Sequence, residues 1–178
     1  RTIDRATALA LSALDAVMRA SGGDPATDET ALILGTSMGS AASTIRFTQD
    51  GLTGSRPYLV DPSRFPNTVM NFAAAQSAIR HSLTGPNATI IAGAVTGLTG
   101  VRYAARMIRG GQAAHALVGG TEELSTERQA LHAASGAATT LGEGSAMLLV
   151  TSLDSEPHVG PVIRGITTSF APADDRGE

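Results

Sequence analysis

Apolar side chains recur at helical spacing in three stretches of the chain. In residues 4–20 a stripe of alanine, leucine and valine repeats every three or four positions, until Gly22 and Gly23 end the pattern. The same spacing returns in residues 67–83 and 98–109. Because residues three or four apart lie on one face of an α-helix, the pattern predicts three amphipathic helices.

Short runs between and after these segments are typical of strands, and the first of them, residues 30–34, is predicted to be a buried strand. They cover residues 30–34, 88–92, 114–118, 146–150 and 162–169. Residues 51–63 are rich in glycine, proline and polar groups and predict a surface loop, whereas residues 125–141 are alanine-rich with weak periodicity. Apolar strands that alternate with amphipathic helices predict an α/β fold built in layers.

The length of the chain favours a single domain. One hydrophobic core can serve a chain of 178 residues, and neither an internal repeat nor a linker-like segment divides it. We therefore treat residues 1–178 as one domain.

Composition and charge exclude several kinds of partner. The net charge is −3, only 3% of the residues are aromatic, and no basic run is present, so the sequence disfavours nucleic-acid binding. No apolar stretch approaches the roughly 20 residues that span a bilayer, which disfavours a membrane protein. Residues 1–5 lack the apolar core of a signal peptide, so the expected location is the cytoplasm.

The absence of cysteine removes several kinds of chemistry. Without cysteine there is no disulfide, no thiolate metal ligand and no catalytic thiol. The four histidines, His81, His115, His132 and His158, are scattered without the spacing of a metal site. The sequence therefore predicts no metal and no cofactor, and we expect the histidines to be solvated or hydrogen-bonded surface residues.

Five short motifs follow one another along the chain. They are Gly35-Thr36-Ser37-Met38-Gly39, Val69-Met70-Asn71-Phe72-Ala73-Ala74, Gly85-Pro86-Asn87, Gly119-Gly120-Thr121-Glu122 and Gly142-Glu143-Gly144. Each alone is compatible with an ordinary turn, but their order and approximate spacing together resemble the N-terminal half of a β-ketoacyl synthase. That resemblance implies a thiolase-like fold with α/β/α layers.

Ala94 occupies the position where the resemblance implies a nucleophilic cysteine. In that family a strand leads through a turn into a helix whose N-terminal partial positive charge lowers the pKa of the thiol. Residues 88–92, 93–97 and 98–109 match this strand, turn and helix. The methyl group of Ala94 cannot attack a thioester, so we expect no acyl-enzyme at this position. The alternative is a glycine-rich connection in which alanine serves packing alone.

Other parts of the family pattern are missing from this sequence. Family members use two histidines and a lysine of their C-terminal half, and none of the four histidines here lies in those motifs. The family's first strand has no counterpart ahead of Arg1, and the connection between Glu123 and Gly142 is shorter than usual. The sequence is either a segment of a longer polypeptide or an abbreviated member of the family.

Because it lacks the cysteine, the chain resembles the chain-length factor of two-component polyketide systems. The resemblance implies a heterodimer with a cysteine-bearing ketosynthase, or a homodimer, which receives acyl groups on acyl carrier protein in fatty acid or polyketide biosynthesis. Met38, Met70, Phe72 and Val95 are then candidates for an acyl pocket or a dimer interface. Plain core packing is the competing interpretation of the methionines, which often fill gaps.

A serine hydrolase is an alternative hypothesis. Residues 35–39 also fit the G-x-S-x-G nucleophile elbow, in which a strained turn presents a serine to a histidine base. Ser37 would be the nucleophile of a catalytic triad. The acid would be Asp61 or Glu122, and the histidine would be His132 or His158. Residues 41–49 form only a mediocre helix by pattern, and no glycine-rich oxyanion segment precedes Ser37.

Two further interpretations concern carboxylates and surfaces. Glu122 and Glu123 are neighbours at the end of a strand, so their side chains are expected on opposite faces, one toward solvent, rather than as an acid/base pair. A scaffold that only dimerises through alanine-rich faces is the third hypothesis of function.

Overall fold

A computed structural model describes residues 3–22, 28–154 and 160–169 of the chain. Its centre is a four-stranded sheet in the order β2-β1-β3-β4. The strands are β1 (Thr30–Gly35), β2 (Asn87–Ile90), β3 (His115–Glu122) and β4 (Gly144–Thr151). Strands β2, β1 and β3 are parallel to one another, whereas β4 runs antiparallel to β3.

The described part of the chain has five α-helices. They are α1 (Arg5–Ala20), α2 (Ala41–Thr53), α3 (Phe72–Arg80), α4 (Thr96–Arg109) and α5 (Thr126–Ala134). Of these, α1, α3 and α4 pack on the sheet, whereas α2 and α5 contact each other. Asp4, Ser40 and Ser125 cap α1, α2 and α5, because their side-chain oxygens accept backbone N–H groups of the first turn. Two short 3₁₀ helices, Pro62–Thr68 and Gly93–Val95, precede α3 and α4.

The core lies on both faces of the sheet. On one face, Leu32 and Leu117 of the sheet pack against Leu14 of α1, and this cluster extends to partly buried Ala78 of α3. On the other face, Ile33 and other sheet residues pack against α4. Alternate residues of β1 therefore serve opposite layers, as the two-residue period of a strand requires. The architecture is α/β/α, and the predicted α/β class is confirmed.

Several predicted boundaries differ from the observed ones. The helix predicted over residues 67–83 is only α3, because a 3₁₀ helix that contains Pro66 occupies its first part. Residues 41–53 form a complete helix, since the Ser40 cap compensates for weak periodicity. The strand predicted at residues 162–169 is wrong: this segment is irregular and pairs with none of the described strands.

None of the described helices is both long and apolar enough to cross a bilayer.

Glycine at position 119 allows β3 and β4 to approach closely. A Cβ atom on Gly119 would lie 2.0 Å from the carbonyl oxygen of Ala146 and 2.9 Å from the Cα of Met147. On the neighbouring Gly120 the nearest atom would be the carbonyl oxygen of Gly35, at 3.4 Å, an ordinary contact. The two adjacent glycines therefore have different physical roles.

The substitution Gly119→Ala is expected to destabilise the fold strongly. A methyl group there must push two paired backbones apart, so we expect the free energy of unfolding to fall by about 3 kcal/mol or more, at or above the upper end of the usual range for overpacking. Gly120→Ala is the matched control and should change it by less than about 1 kcal/mol. Urea unfolding measures both; equal losses would contradict the assignment.

Candidate functional site at the carboxyl ends of the strands

The topology defines a candidate site, here called the crevice, at one edge of the sheet. The connection from β1 to β2 runs through α3, which packs on the α1 face, whereas the connection from β2 to β3 runs through α4 on the opposite face. Gly35 and Ile90, which end β1 and β2, are paired neighbours. In open α/β sheets, ligands bind where adjacent strands send their connections to opposite faces. The loops after Gly35 and Ile90 are therefore the candidate site.

The connection from β2 to α4 is held by one threonine. The Thr96 hydroxyl accepts a hydrogen bond from the Ala92 amide at 2.9 Å and donates one to the Gly93 carbonyl at 2.7 Å. Gly93 has a φ of +56°, in the left-handed region that favours glycine. A Cβ atom on Gly35 would lie 2.5 Å from Thr96 Cγ2, so glycine at the end of β1 leaves room for this threonine.

Ala94 lies in this connection, within the 3₁₀ turn that leads into α4. Its side chain is exposed near the N-terminal end of α4, where free backbone N–H groups give a partial positive charge. A thiol in this place would be activated, but a methyl group carries no reactive atom.

The four candidate pocket residues divide into two groups. Met38 and Val95 are exposed, by 38% and 54%, on the two loops that flank the crevice. Phe72 is buried, and with Met70 it lines a cavity of only about 10 Å³. Met70 Sδ would lie 3.3 Å from a Cβ on Gly39, so Met70 packs directly on the loop that carries Met38. The cavity beside Met70 and Phe72 holds about one water molecule, and an acyl chain needs more space.

The contacts of Ser37 disfavour a hydrolase. Its hydroxyl donates to Glu122 Oε2 at 2.9 Å and accepts from Arg128 Nη2 at 3.1 Å, so its bonds go to an ion pair and not to a histidine base. The ring of His132 instead bonds the Thr139 carbonyl at 2.7 Å. Asp61 caps the first 3₁₀ helix. His158 lies outside the described residues.

Glu122 and Glu123 hold different partners, as the strand geometry predicts. The Glu122 side chain is 32% exposed and pairs with Arg128, whereas Glu123 is 1% exposed and accepts from Ser40 Oγ and the Ala42 amide. Neither carboxylate is fully solvated, so the expectation that one faces water is met only in part by Glu122. These long-range contacts, more than 80 residues apart in sequence, had no local signal.

The remaining histidines lie away from the crevice. His81 follows α3 and its Nε2 lies 2.9 Å from an Asp15 carboxylate oxygen on α1, and His115 begins β3 at the opposite end of the sheet.

Arg5 and Glu143 join three segments of the chain at the same edge of the sheet. The Arg5 guanidinium at the start of α1 forms a two-armed contact with the Glu143 carboxylate, which also accepts from the Leu124 amide at 3.2 Å. The Arg5 hydrogen bonds, followed by that of Leu124, lower the pKa of Glu143 to about 2. This tie fixes the start of α1, the connection after β3 and the segment before β4 relative to one another.

Comparisons with known proteins identify the family. The family model described as Beta-ketoacyl synthase, N-terminal domain, matches residues 1–140. The chain is 31% identical over 125 residues to 3-oxoacyl-(acyl-carrier-protein) synthase 2 of Rhizobium meliloti (strain 1021), over 68% of this chain and 30% of that protein. The chain therefore belongs to the β-ketoacyl synthase family.

Solved structures agree with this assignment. The chain is 40% identical to a chain of the ishigamide ketosynthase/chain length factor, with a TM-score of 0.79 over 86% of this chain and 45% of that one. It also has the fold of a chain in AntDE:AntF, a type II polyketide synthase acyl-carrier protein in complex with its ketosynthase, with 17% identity and a TM-score of 0.72 over 84% of this chain and 44% of that one.

The family comparison confirms two predictions. The fold is thiolase-like, and the chain corresponds to the N-terminal half of its relatives, because the family model that matches residues 1–140 describes an N-terminal domain. The chain spans 30% of the length of the Rhizobium meliloti protein and 45% of the ishigamide chain. Membership of this family also replaces the hypothesis of an α/β-hydrolase.

Loss of the Arg5–Glu143 tie is expected to change the acid sensitivity of the fold. Because the pKa of Glu143 is lower in the folded chain, at about 2, than its ordinary 4.5, the tie stabilises the fold above about pH 4.5, and this contribution is lost as the pH falls toward 2. Glu143→Gln should therefore be less stable than wild type near neutral pH, with a difference that shrinks below about pH 4.5.

Urea unfolding at a series of pH values measures this difference. Arg5→Gln should show the same trend with a smaller change, because the Leu124 amide still bonds the Glu143 carboxylate. A difference between wild type and Glu143→Gln that stays constant down to about pH 3 would show that the carboxylate contributes nothing through its charge.

Proposed function

We propose that this chain is a catalytically disabled β-ketoacyl synthase-like subunit of the chain-length-factor type, which pairs with an active, cysteine-bearing ketosynthase. The observation that carries the proposal is Ala94 in an otherwise intact strand-to-helix connection. The connection keeps the Thr96 hydrogen bonds and the left-handed Gly93, yet the chain contains no cysteine. Bond formation then requires the thiol of a partner.

The surface beside Ala94 supports a protein partner. Ile91, Val95 and Leu98 are exposed by 54%, 54% and 67%, and they follow one another along the β2–α4 connection. Exposed apolar side chains that together form a contiguous patch mark interaction surfaces. The 40% identical relative is a ketosynthase/chain length factor, and we therefore propose a ketosynthase as the partner.

The pocket residues support a role in bounding an acyl chain. Met38 and Val95 flank the crevice from two loops, and the cavity enclosed at Met70 and Phe72 is only about 10 Å³. We propose that these four residues contribute one wall of a pocket whose remaining walls belong to the partner. The acyl group would arrive on acyl carrier protein, in fatty acid or polyketide biosynthesis, and the cytoplasmic location expected from the sequence remains part of this proposal.

A non-catalytic homodimeric scaffold is the second candidate, because the same apolar surface around Val95 could receive another copy of this chain. The two functions differ in whether the product depends on the crevice. A scaffold would associate without any effect of Met38 or Met70 substitutions on acyl length.

A cysteine placed at position 94 is expected to be unusually reactive. Ala94 is exposed at the start of α4, where the helix N-terminus lowers a thiol pKa, so Ala94→Cys should react with iodoacetamide with a midpoint pH below that of an ordinary thiol. The chain has no other cysteine, which makes the label unique. Ala138→Cys, an exposed alanine in irregular structure, is the matched control. Identical pH–rate midpoints would contradict an intact nucleophile site.

Pairing with a ketosynthase is expected to depend on the apolar surface. Val95→Asn should raise the dissociation constant of the complex with a cysteine-bearing ketosynthase encoded by a neighbouring gene by about tenfold or more. The reason is that the substitution places an amide in a desolvated interface. Leu153→Asn, which changes an equally exposed residue after β4, should leave pairing intact.

Analytical ultracentrifugation of the two proteins, separately and mixed, measures this effect. Wild-type chain that stays monomeric with the ketosynthase would refute the heterodimer, and wild-type chain that forms only its own dimer would favour the scaffold. Equal loss of pairing in both variants would remove Val95 from the interface.

A further inference from the structure

The loop that carries Met38 is held by a carboxylate from a distant strand. Glu122, at the end of β3, accepts hydrogen bonds from the Ser37 amide at 2.6 Å and from the Ser37 hydroxyl at 2.9 Å. One carboxylate thus holds both the backbone and the side chain of a single loop residue. Such two-point contacts with a charged group are shorter and stronger than neutral hydrogen bonds.

Arg128 of α5 completes this contact. Its guanidinium lies 2.7 Å from Glu122 Oε2, donates to the Glu123 carbonyl at 2.7 Å and donates to the Ser37 hydroxyl at 3.1 Å. Arg128 is only 8% exposed, so its guanidinium is largely shielded from water, although the Glu122 side chain is partly exposed. A guanidinium can serve three acceptors in fixed directions, which the single nitrogen of a lysine cannot reproduce.

The other end of the loop is fixed as well. The buried Glu123 carboxylate accepts from Ser40 Oγ at 3.2 Å and from the Ala42 amide at 3.0 Å, at the N-terminus of α2. Within the loop, the Gly39 amide donates to the Thr36 hydroxyl at 3.0 Å. The loop is therefore anchored before and after Met38, whose apolar side chain stays exposed.

We propose that Glu122 and Arg128 are positioning residues that hold Met38 at a fixed place beside the crevice. An isolated loop of small and polar residues would sample many conformations, whereas a methionine that limits an acyl chain must stay in one place to do so. The inference deepens the proposed function, and its consequence for product length rests on that function. The positioning itself is a property of this chain alone.

A distance measurement between two spin labels tests the positioning. Met38→Cys and Gln112→Cys place nitroxides at opposite ends of the sheet, roughly 25–30 Å apart from the rise of a strand, and the chain has no other cysteine to label. Pulsed dipolar spectroscopy should give one narrow distance distribution in this background. Adding Glu122→Gln should broaden it, because the glutamine NH₂ faces the donors of Arg128 or of Ser37.

Three further variants complete the set. Arg128→Lys should also broaden the distribution, and Ser37→Ala, which loses the hydroxyl but keeps the backbone bond, should broaden it less. Glu127→Gln is the matched control, since it breaks a 2.7 Å contact with Arg46 that also joins α5 to α2 but does not hold the loop. Circular dichroism on each variant separates loop release from unfolding.

The outcomes are decisive for the positioning. A broad distribution in the parent protein, or equal widths in Glu122→Gln and Glu127→Gln, would overturn the proposal. Should Glu122→Gln not fold, the widths of the parent, Ser37→Ala and Glu127→Gln still decide it.

The second measurement addresses product length in the complex with a cysteine-bearing ketosynthase and acyl carrier protein. Glu122→Gln should shift the product distribution toward mixed lengths while Glu127→Gln leaves it unchanged. A complex that does not form refutes the proposed function but leaves the spin-label result standing. A complex whose product length is unchanged by Glu122→Gln, despite a broadened distance, refutes the role of Met38 in setting that length.

Discussion

Strand β1 is buried along its whole length and is hydrogen-bonded to a parallel strand on each side. Because β2 and β3 share its direction, all three strands deliver their following loops to the same edge of the sheet. The Met38 loop, the Ala94 connection and the Glu122 carboxylate meet there for that reason alone. Each later feature of the site depends on this parallel register.

Two glycines allow close contacts with neighbouring elements of the sheet. Gly35 leaves space for Thr96 under the connection to α4, and Gly119 lets β4 pack against β3. The first contact shapes the site, and the second closes the sheet beside it. We propose that this geometry, which surrounds Ala94 and no thiol, belongs to a subunit that shapes a pocket and leaves the chemistry to a partner.

Polar contacts at the edge of the sheet divide by burial. The Arg5–Glu143 tie lies near solvent and contributes a modest, pH-dependent stability. In the Glu122–Arg128 contact the arginine is mostly buried, whereas Glu122 remains partly exposed, and we propose that this contact holds one loop conformation. In the proposed function, charged groups near the site place its apolar residues, and the exposed side chains of Ile91, Val95 and Leu98 would contact a partner.

The sequence by itself determined the layered α/β class, helices α1 and α4, the buried strand β1 and the presence of alanine at position 94, because these depend on local spacing and residue type. The tertiary structure decided the rest. Residues brought together from distant segments decide that Phe72 is buried and Val95 exposed. They also decide that Ser37 bonds Glu122 and not a histidine. Residues 162–169 show the same limit: an apolar run forms a strand only where a sheet edge offers hydrogen-bond partners, and spacing along the chain does not encode that edge.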